Sequence, residues 1–419
     1  MKNIRPSERK RKELEALMMR EGENVLEEFH RKQQELVYQE ALEADAEAFL
    51  GRSWYKRDGK APEGYRNGYY ARKARVPGAV MHLSVPRVRN TREKFRSRLL
   101  RTIGALAERV RTLALEMYVR GLSTRDVQEA FLDDRGKPVL SRSAVSRLTS
   151  RLYEQYQAFA QRDLSASDIV FLFVDGVYES VRRYTNNQTL LCAWAICADG
   201  TKQFVHLAPV QSESQGAWES FFEDLLRRGL RQPLLVISDG NSGLLAAITR
   251  KFPRAHRQRC IAHKLRNIAS KLPRDRAKVV LAEFKAVYYA PDRATADLLA
   301  TQLIERYAQL YPAAVACFSD DLEACLTHLL FPEGHRHYIR TTNLLERTFE
   351  EQKRRTKVFP QHQHERSAVG LVFAVLERAA RSWQRVTMSS LELAQLKAIR
   401  DLIPATIIDH NYISYRIAA

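Results

Sequence analysis

The sequence predicts a multidomain protein of mixed α+β and α/β class, and three observations carry that reading. Between about residues 168 and 270, short apolar runs of strand length alternate with stretches of helical period. On both sides lie long segments in which apolar residues recur at helix-like intervals among charges. Near Gly64 a compact stretch alternates with period two between Asn-Gly and Pro-Gly signals.

Residues 1–60 read as a helical region for dimerisation or DNA binding, because Val25, Leu26, Phe29, Leu36, Val37, Ala41, Leu42, Phe49 and Leu50 keep a helical spacing. Residues 61–100 form a small β-hairpin unit in GYRNGYYARKARVPGAVMHLSVPRVRN, with Met81, Leu83 and Val85 alternating before a basic exit through Pro86, Arg87 and Arg89. Its tyrosines and arginines suit stacking and pairing with DNA, or aromatic packing beneath a hairpin. In 101–163, GLSTRDVQEAF and LSRSAVSRLTSRL read as two short helices separated by a Gly/Pro turn. Ser123 and Ser141 are the expected N-caps, and Asp126 completes a capping box with Ser123. Arg142, Ser143, Ser146 and Arg147 share the polar side of the second helix, which suits a DNA-reading helix-turn-helix or, alternatively, a packing linker.

Residues 164–273 give three strands in a row, IVFLFVDGVYESVRR, QTLLCAWAICADG and TKQFVHLAPV, with Asp199-Gly200 as a hairpin turn. A helix capped by Ser214 follows, with Trp218, Phe221, Phe222, Leu225 and Leu226 as its apolar stripe. Then come the strand PLLVISDG, the helix GLLAAITRKF and a short strand HRQRCI. Three meandering strands followed by strands alternating with helices is the order of a ribonuclease H-like catalytic core. Residues 274–338 are helical throughout and read as an insertion, after which 339–419 supply the final helices and tail.

Asp175 and Asp239 each close an apolar strand run, while Glu346 lies in the helical segment TTNLLERTFEEQKRRTK. Three carboxylates from separate elements can hold two Mg²⁺ or Mn²⁺ ions against a phosphodiester, activating the attacking oxygen and stabilising the leaving one. Asp-Gly is also a turn signature, and the chain has such pairs at Asp58, Asp175, Asp199 and Asp239. The turn reading suits Asp199. It suits Asp175 less well, because strand alternation continues past it, and Asp239 sits where a strand yields to a helix, a place where clefts form. Glu350 and Glu351 have partners at i+4 in Arg354 and Arg355, which leaves Glu346 as the metal candidate. Arg347, Lys353, Arg354 and Arg355 are expected to hold DNA phosphates, as are His263, Lys264 and Arg266. Cys260-x-x-His263 lacks the second half of a zinc site, so Cys260 reads as a small core residue. With no P-loop or dinucleotide glycine pattern, neither ATP nor NAD is implied.

Across 419 residues, 68 Lys+Arg against 49 Asp+Glu give a net charge of +19, a surplus suited to double-stranded DNA. No apolar run approaches a membrane span, and the charged N-terminus lacks a signal-peptide core, so a cytoplasmic, nucleoid-associated protein is expected. Five scattered cysteines predict no disulfide framework.

The segments FLGRSWYKR, GYRNGYY, VPRVR, VDGVYESVR, SDGNSGLLAAI, QRCIAHKLRNIASKLP, YYAPDRA and IRTTNLLERTFEEQKRRTKVFP resemble bacterial insertion-sequence transposases of the Mutator-like group, typified by the insertion sequence 256 element. The resemblance implies an Asp, Asp, Glu triad at Asp175, Asp239 and Glu346, in a ribonuclease H-like domain interrupted by a helical insertion. It places the group's Cys-x-x-His element on Cys260 and His263. It also implies binding of terminal inverted repeats and target DNA, a homodimer, and a copy-out route through a circular intermediate. Thr348 and Phe349 stand where the group more often has Leu-Asn, and the stretch between KRRTKV and FP is shorter than usual. A metal-dependent nuclease or resolvase, or a non-catalytic sequence-specific DNA-binding protein, are the alternatives to a transposase.

Overall fold

The computed structural model describes residues 4–20, 25–54, 64–76, 79–132, 136–179, 188–356 and 365–402. The chain divides into two compact units, Met1–Ser150 and Arg151–Ala419.

In the first unit, helices α1 (Pro6–Met18) and α2 (Val25–Leu50) precede an antiparallel hairpin of β1 (Tyr65–Val76) and β2 (Ala79–Arg89), which α3 (Arg98–Val119) follows. Leu42 of α2, Ile103 of α3, Ala74 of β1 and the alternating Met81, Leu83 and Val85 of β2 form its core. The periodicity of α2 misses its main feature, a buried polar row of Glu35, Gln39 and Glu43. A two-stranded sheet leaves an open ladder edge that must be satisfied. The Gln39 side chain supplies the partner, donating to the Ser84 carbonyl and accepting from its N–H, each at 2.8 Å. Glu35 accepts from His82 N at 2.9 Å and from Lys10 Nζ at 2.7 Å. Asn67-Gly68 makes a bulge inside β1 rather than a turn, with Gly68 at φ +69° where a side chain would be strained.

Helix α4 (Thr124–Ala130) opens with the Ser123/Asp126 capping box, and α5 (Arg142–Gln161) opens with Ser141 Oγ accepting from Ala144 N at 3.3 Å. The second helix is long rather than short, and the link between the two exceeds the about 3–4-residue turn of a helix-turn-helix. Arg142, Ser143, Ser146 and Arg147 are all exposed, while Val145 and Leu148 are buried.

The second unit holds a five-stranded mixed sheet in the order β5-β4-β3-β6-β7. Strands β3 (Ile169–Glu179), β4 (Gln188–Cys197) and β5 (Lys202–Val210) form an antiparallel meander, with a turn at Asp199-Gly200. Helix α6 (Gln215–Arg227), capped by Ser214, leads to β6 (Leu235–Ser238), parallel to β3; α7 (Ser242–Lys251) leads to β7 (His256–Arg259), parallel to β6. Strands β3, β4 and β6 are almost continuously apolar because both faces are covered, whereas the edge strand β7 is polar throughout. Trp218, Phe221 and Phe222 of α6 and Ile248 of α7 pack on one face. Val369, Val372, Phe373 and Leu376 pack on the other with Trp194 and Phe204.

Helix α8 (Ile261–Ala269) leads into the insertion: α9 (Ala277–Tyr288), α10 (Arg293–Tyr307), α11 (Pro312–Ser319), α12 (Leu322–Leu326), a 3₁₀ turn Thr327–Leu330 and α13 (Glu333–Ile339). It has its own core around Phe284, Tyr288 and Phe318, into which Ile261 and Ile268 of α8 reach. Helices α14 (Asn343–Thr356), which packs against β3, α15 (Glu365–Arg381) and α16 (Ser390–Asp401) complete the unit. All five cysteines are free thiols, and among the described residues no helix is long and apolar enough to cross a membrane.

Candidate active site

Strand register brings the two aspartates together. Phe173 pairs with Ile237 across parallel strands, so Asp175, within β3, and Asp239, just past the end of β6, each two residues further on, reach the same level. Neighbouring strands lie about 4.8 Å apart. Asp175 is 9% exposed. Burial pushes its pKa up to about 7, with the charges of Asp239 and Glu213 adding to the rise and His263 opposing it. Gly176 N donates to Asp175 Oδ1 at 2.9 Å, and Asn241 N donates to Asp239 Oδ1 at 3.1 Å. Those bonds orient each carboxylate.

Glu346 comes from the first turn of α14, and α8 meets it with two cations. His263 Nε2 is 3.6 Å from Glu346 Oε1. Arg266 Nη2 is 2.7 Å from both oxygens but hydrogen-bonds only Oε2, leaving Oε1 buried without a hydrogen bond. The Cys260 sulfur beside His263, with the carboxylates of Asp175 and Glu346, raises the His263 pKa to about 9 against the effect of burial. Burial alone would raise the Cys260 thiol, yet the neighbouring His263 and bonds from Thr342 hold it below its ordinary value. Cys260 Sγ accepts from Thr342 N at 3.3 Å and from Thr342 Oγ1 at 3.2 Å, tying the start of α8 to the approach of α14. His263 therefore touches the electrostatics of both Asp175 and Glu346.

Lys264 departs from the expected role. It is 1% exposed, and its ammonium is spent on the Asp320 carbonyl, with Asp320 Oδ2 at 3.6 Å, so it faces the insertion and not a phosphate. Arg266 is likewise engaged, by Glu346. Arg354 and Arg355 both pair with Glu351, at 3.1 Å for Arg354 Nη1 and 2.8 Å for Arg355 Nε, while Lys353 is exposed. The Arg347 side chain lies outside the described residues.

Two residues that the sequence did not single out shape the site. Glu213, accepting from Trp218 Nε1 at 3.3 Å, stands over Gly176, where a Cβ would come within 3.0 Å of its Oε2. Arg259 fills the space beside Gly240, where a Cβ would fall 1.0 Å from Nη1, and reaches Asp321 Oδ2 at 3.6 Å. Glycine after each aspartate is what such close approach by a charged side chain requires.

Residues 7–386 match the family described as "Transposase, Mutator family". The chain belongs to the Mutator family of transposases. It is 36% identical over 356 residues to the transposase for insertion sequence element ISRM5 of Rhizobium meliloti (strain 1021), covering 83% of this chain and 86% of that one. It is 34% identical over 276 residues to the transposase for insertion sequence element IS6120 of Mycolicibacterium smegmatis, covering 66% and 85%. It is 30% identical over 351 residues to the transposase for insertion sequence element IS256 in transposon Tn4001 of Staphylococcus aureus, covering 83% and 89%. A Drosophila P element transposase strand transfer complex aligns over 73% of this chain and 85% of that one at 13% identity, with a TM-score of 0.30, too low to show a shared fold.

Membership of the Mutator family suggests a divalent metal, and the donor set fits one in two respects. Asp175 and Asp239 repel one another in a buried setting, a strain that a cation between them relieves. Glu346 Oε1 is buried and lacks a hydrogen bond. Among the described residues no three His, Cys, Asp or Glu groups form a metal-holding cluster, and Glu346 is paired with His263 and Arg266.

Proposed function

We propose that this transposase is a DDE enzyme whose second unit is a ribonuclease H-like core, with Asp175, Asp239 and Glu346 as the residues that hold two Mg²⁺ or Mn²⁺ ions. The observation that carries this reading is the matched register of Asp175 in β3 and Asp239 just past the end of the parallel β6, with Glu346 in contact with His263 beside them. The strand order β5-β4-β3-β6-β7, an antiparallel meander flanked by two parallel strands, supports the assignment of the core.

Divalent ions bound by the three carboxylates would supply activation of the attacking oxygen and neutralisation of the leaving one. The reaction itself balances simply. Water attacks a phosphodiester at an element end, the P–O3′ bond breaks, and the freed 3′-hydroxyl then attacks a second phosphodiester in target DNA with loss of that linkage's own 3′ oxygen. The chain's contribution is positioning and charge placement. Strands β3 and β6 fix the aspartates, Glu213 and Arg259 pack against the glycines that follow them, and the His263 imidazolium with Arg266 holds Glu346 near the strand ends. Arg142, Ser143, Ser146 and Arg147 present an exposed polar face suited to terminal inverted repeats. Exposed Lys353 suits phosphates near the site, and a homodimer would bring two element ends together.

The test is a strand-joining assay with a pre-cleaved 3′-OH element end and Mg²⁺. Wild-type protein joins the end to target DNA, and Asp175→Asn abolishes joining while retaining DNA binding. Cleavage without joining by the wild type would instead indicate a nuclease or resolvase.

A further inference from the structure

The core-facing side of the β1/β2 hairpin changes character along its length. Met81, Leu83 and Val85 are buried on that face, and residues spaced by two along a strand share a face, so Arg87 and Arg89 continue it beyond the apolar core. Cross-strand partners lie on the same face, so Tyr70, paired with Val85, and Arg72, paired with Leu83, belong to it as well. The chain then turns through Lys94 and Arg96 into α3, where Arg101 faces the same space. The result is a groove of about 480 Å³ whose lining includes Arg72, Arg87, Arg89, Lys94, Arg96 and Arg101 and no Asp or Glu. All six cations are exposed.

Elsewhere in this unit, several cations are paired. Lys10 meets Glu35, Arg11 meets Glu40 and Lys32 meets Glu13. In the groove none of the six has a side-chain hydrogen bond or an ion pair among the described residues. The guanidinium of Arg87 lies 5.5 Å from the centre of the exposed Tyr70 ring. Crowding six like charges without a counter-charge costs stability, and the cost is offset when a polyanion enters. Arg87 and Arg89 are about 6.6 Å apart along the strand, a spacing that serves successive charges rather than one small anion. The lining offers no Asn or Gln for paired contacts to an adenine edge, so the comparison of two duplex sequences is what separates phosphate gripping from guanine reading by these arginines.

We propose that this groove seats the phosphate backbone of duplex DNA, a site made of different residues from the exposed face of α5. It rests on the reading of the chain as an enzyme acting on DNA, and it assigns the hairpin to gripping the duplex, not to reading its sequence. Phosphate contacts of this kind fix position without carrying sequence information.

The experiment measures full-length protein binding to an element-end duplex and to an unrelated duplex of equal length, each across a salt series. The variants are Arg87→Ala/Arg89→Ala and Arg87→Lys/Arg89→Lys, with thermal unfolding to confirm folding. Loss of two phosphate contacts makes the slope of log affinity against log salt shallower by about 1.8 and lowers affinity about tenfold or more for both duplexes alike. The lysine pair, which keeps the charge, restores the slope. Unchanged affinity and slope in the alanine pair overturn the groove assignment while leaving the proposed enzyme intact. A loss confined to the element-end duplex, with the slope unchanged, also overturns it, because the groove would then read bases. Absence of DNA binding by the wild type overturns both readings.

Discussion

His263 Nε2 lies 3.6 Å from Glu346 Oε1, so the helix that follows β7 meets the helix that follows the insertion at the carboxylate most distant in sequence from Asp175. Arg266, one turn along α8, closes on the same carboxylate at 2.7 Å. Residues three apart on a helix share a face, so α8 presents two cations to Glu346 together.

Arg266→Ala should loosen Glu346 more than it destabilises the fold. Arg266 is well exposed, so the pairing contributes under about 1 kcal/mol to unfolding free energy. A misplaced carboxylate of about 1 Å can cost up to about 100-fold in rate. Strand cleavage should therefore fall strongly while the melting temperature shifts little, and Arg266→Lys should recover part of the rate. Equal rates for wild type and Arg266→Ala would remove Arg266 from the positioning machinery.

Gly240→Ala should disturb the site through Arg259. A Cβ there would fall 1.0 Å from Arg259 Nη1, and that side chain is 8% exposed with little room to retreat. Overpacking of this kind costs about 1–3 kcal/mol. Urea unfolding should show that loss, and adding Arg259→Ala should recover part of it because the two changes share one space. Additive losses would contradict the contact.

Gln39→Ala should weaken the first unit. Its amide holds both backbone groups of Ser84 at 2.8 Å, and removing it strands them beside a buried helix face. The expected cost is about 1–3 kcal/mol, read as earlier thermal unfolding of that unit. Gln39→Glu keeps an acceptor for Ser84 N but sets a carboxylate against Glu43 Oε1, to which Gln39 Nε2 donates at 3.1 Å, so it should destabilise at least as much as alanine.

Acid should destabilise the second unit through two buried histidines. Burial and Arg228 push His206 down to about 3, against the pull of Asp224, and burial with Arg340 and Arg336 pushes His328 down to about 4, against the Cys325 carbonyl. A depressed folded value means that each imidazole favours the folded state fully above the ordinary value near 6.5. That contribution drains as pH falls towards 4 and 3, at no more than about 1.4 kcal/mol per pH unit for each group. Denaturant midpoints measured from pH 7 to 4.5 should fall, and less steeply in His328→Gln. A flat profile would contradict the burial of both rings.

What the sequence made legible, and what it hid, divides along local and non-local physics. The apolar strand runs before Asp175 and Asp239, the continuation of β3 past Asp175, the Asp199-Gly200 turn, and the Ser123 and Ser214 caps are local patterns, and each takes the expected form. Glu213 and Arg259 gain their places only when α6 and β7 pack beside the strand ends, so neither neighbourhood betrays them. Lys264 could have been placed correctly. It shares the buried stripe of Ile261 and Ile268 at helical spacing, whereas His263 and Arg266 share the other face. The buried polar row of α2 was hidden because apolar periodicity does not register the demand of an open sheet edge for partners.

In the proposed enzyme Asp175, Asp239 and Glu346 serve one metal site. The most direct measurement is Mn²⁺ binding by electron paramagnetic resonance, on full-length protein bound to an element-end duplex, comparing wild type with Asp175→Asn, Asp239→Asn and Glu346→Gln. Every substitution should reduce bound Mn²⁺ while the duplex remains bound. Wild-type Mn²⁺ binding by any one of the three variants would contradict a shared site.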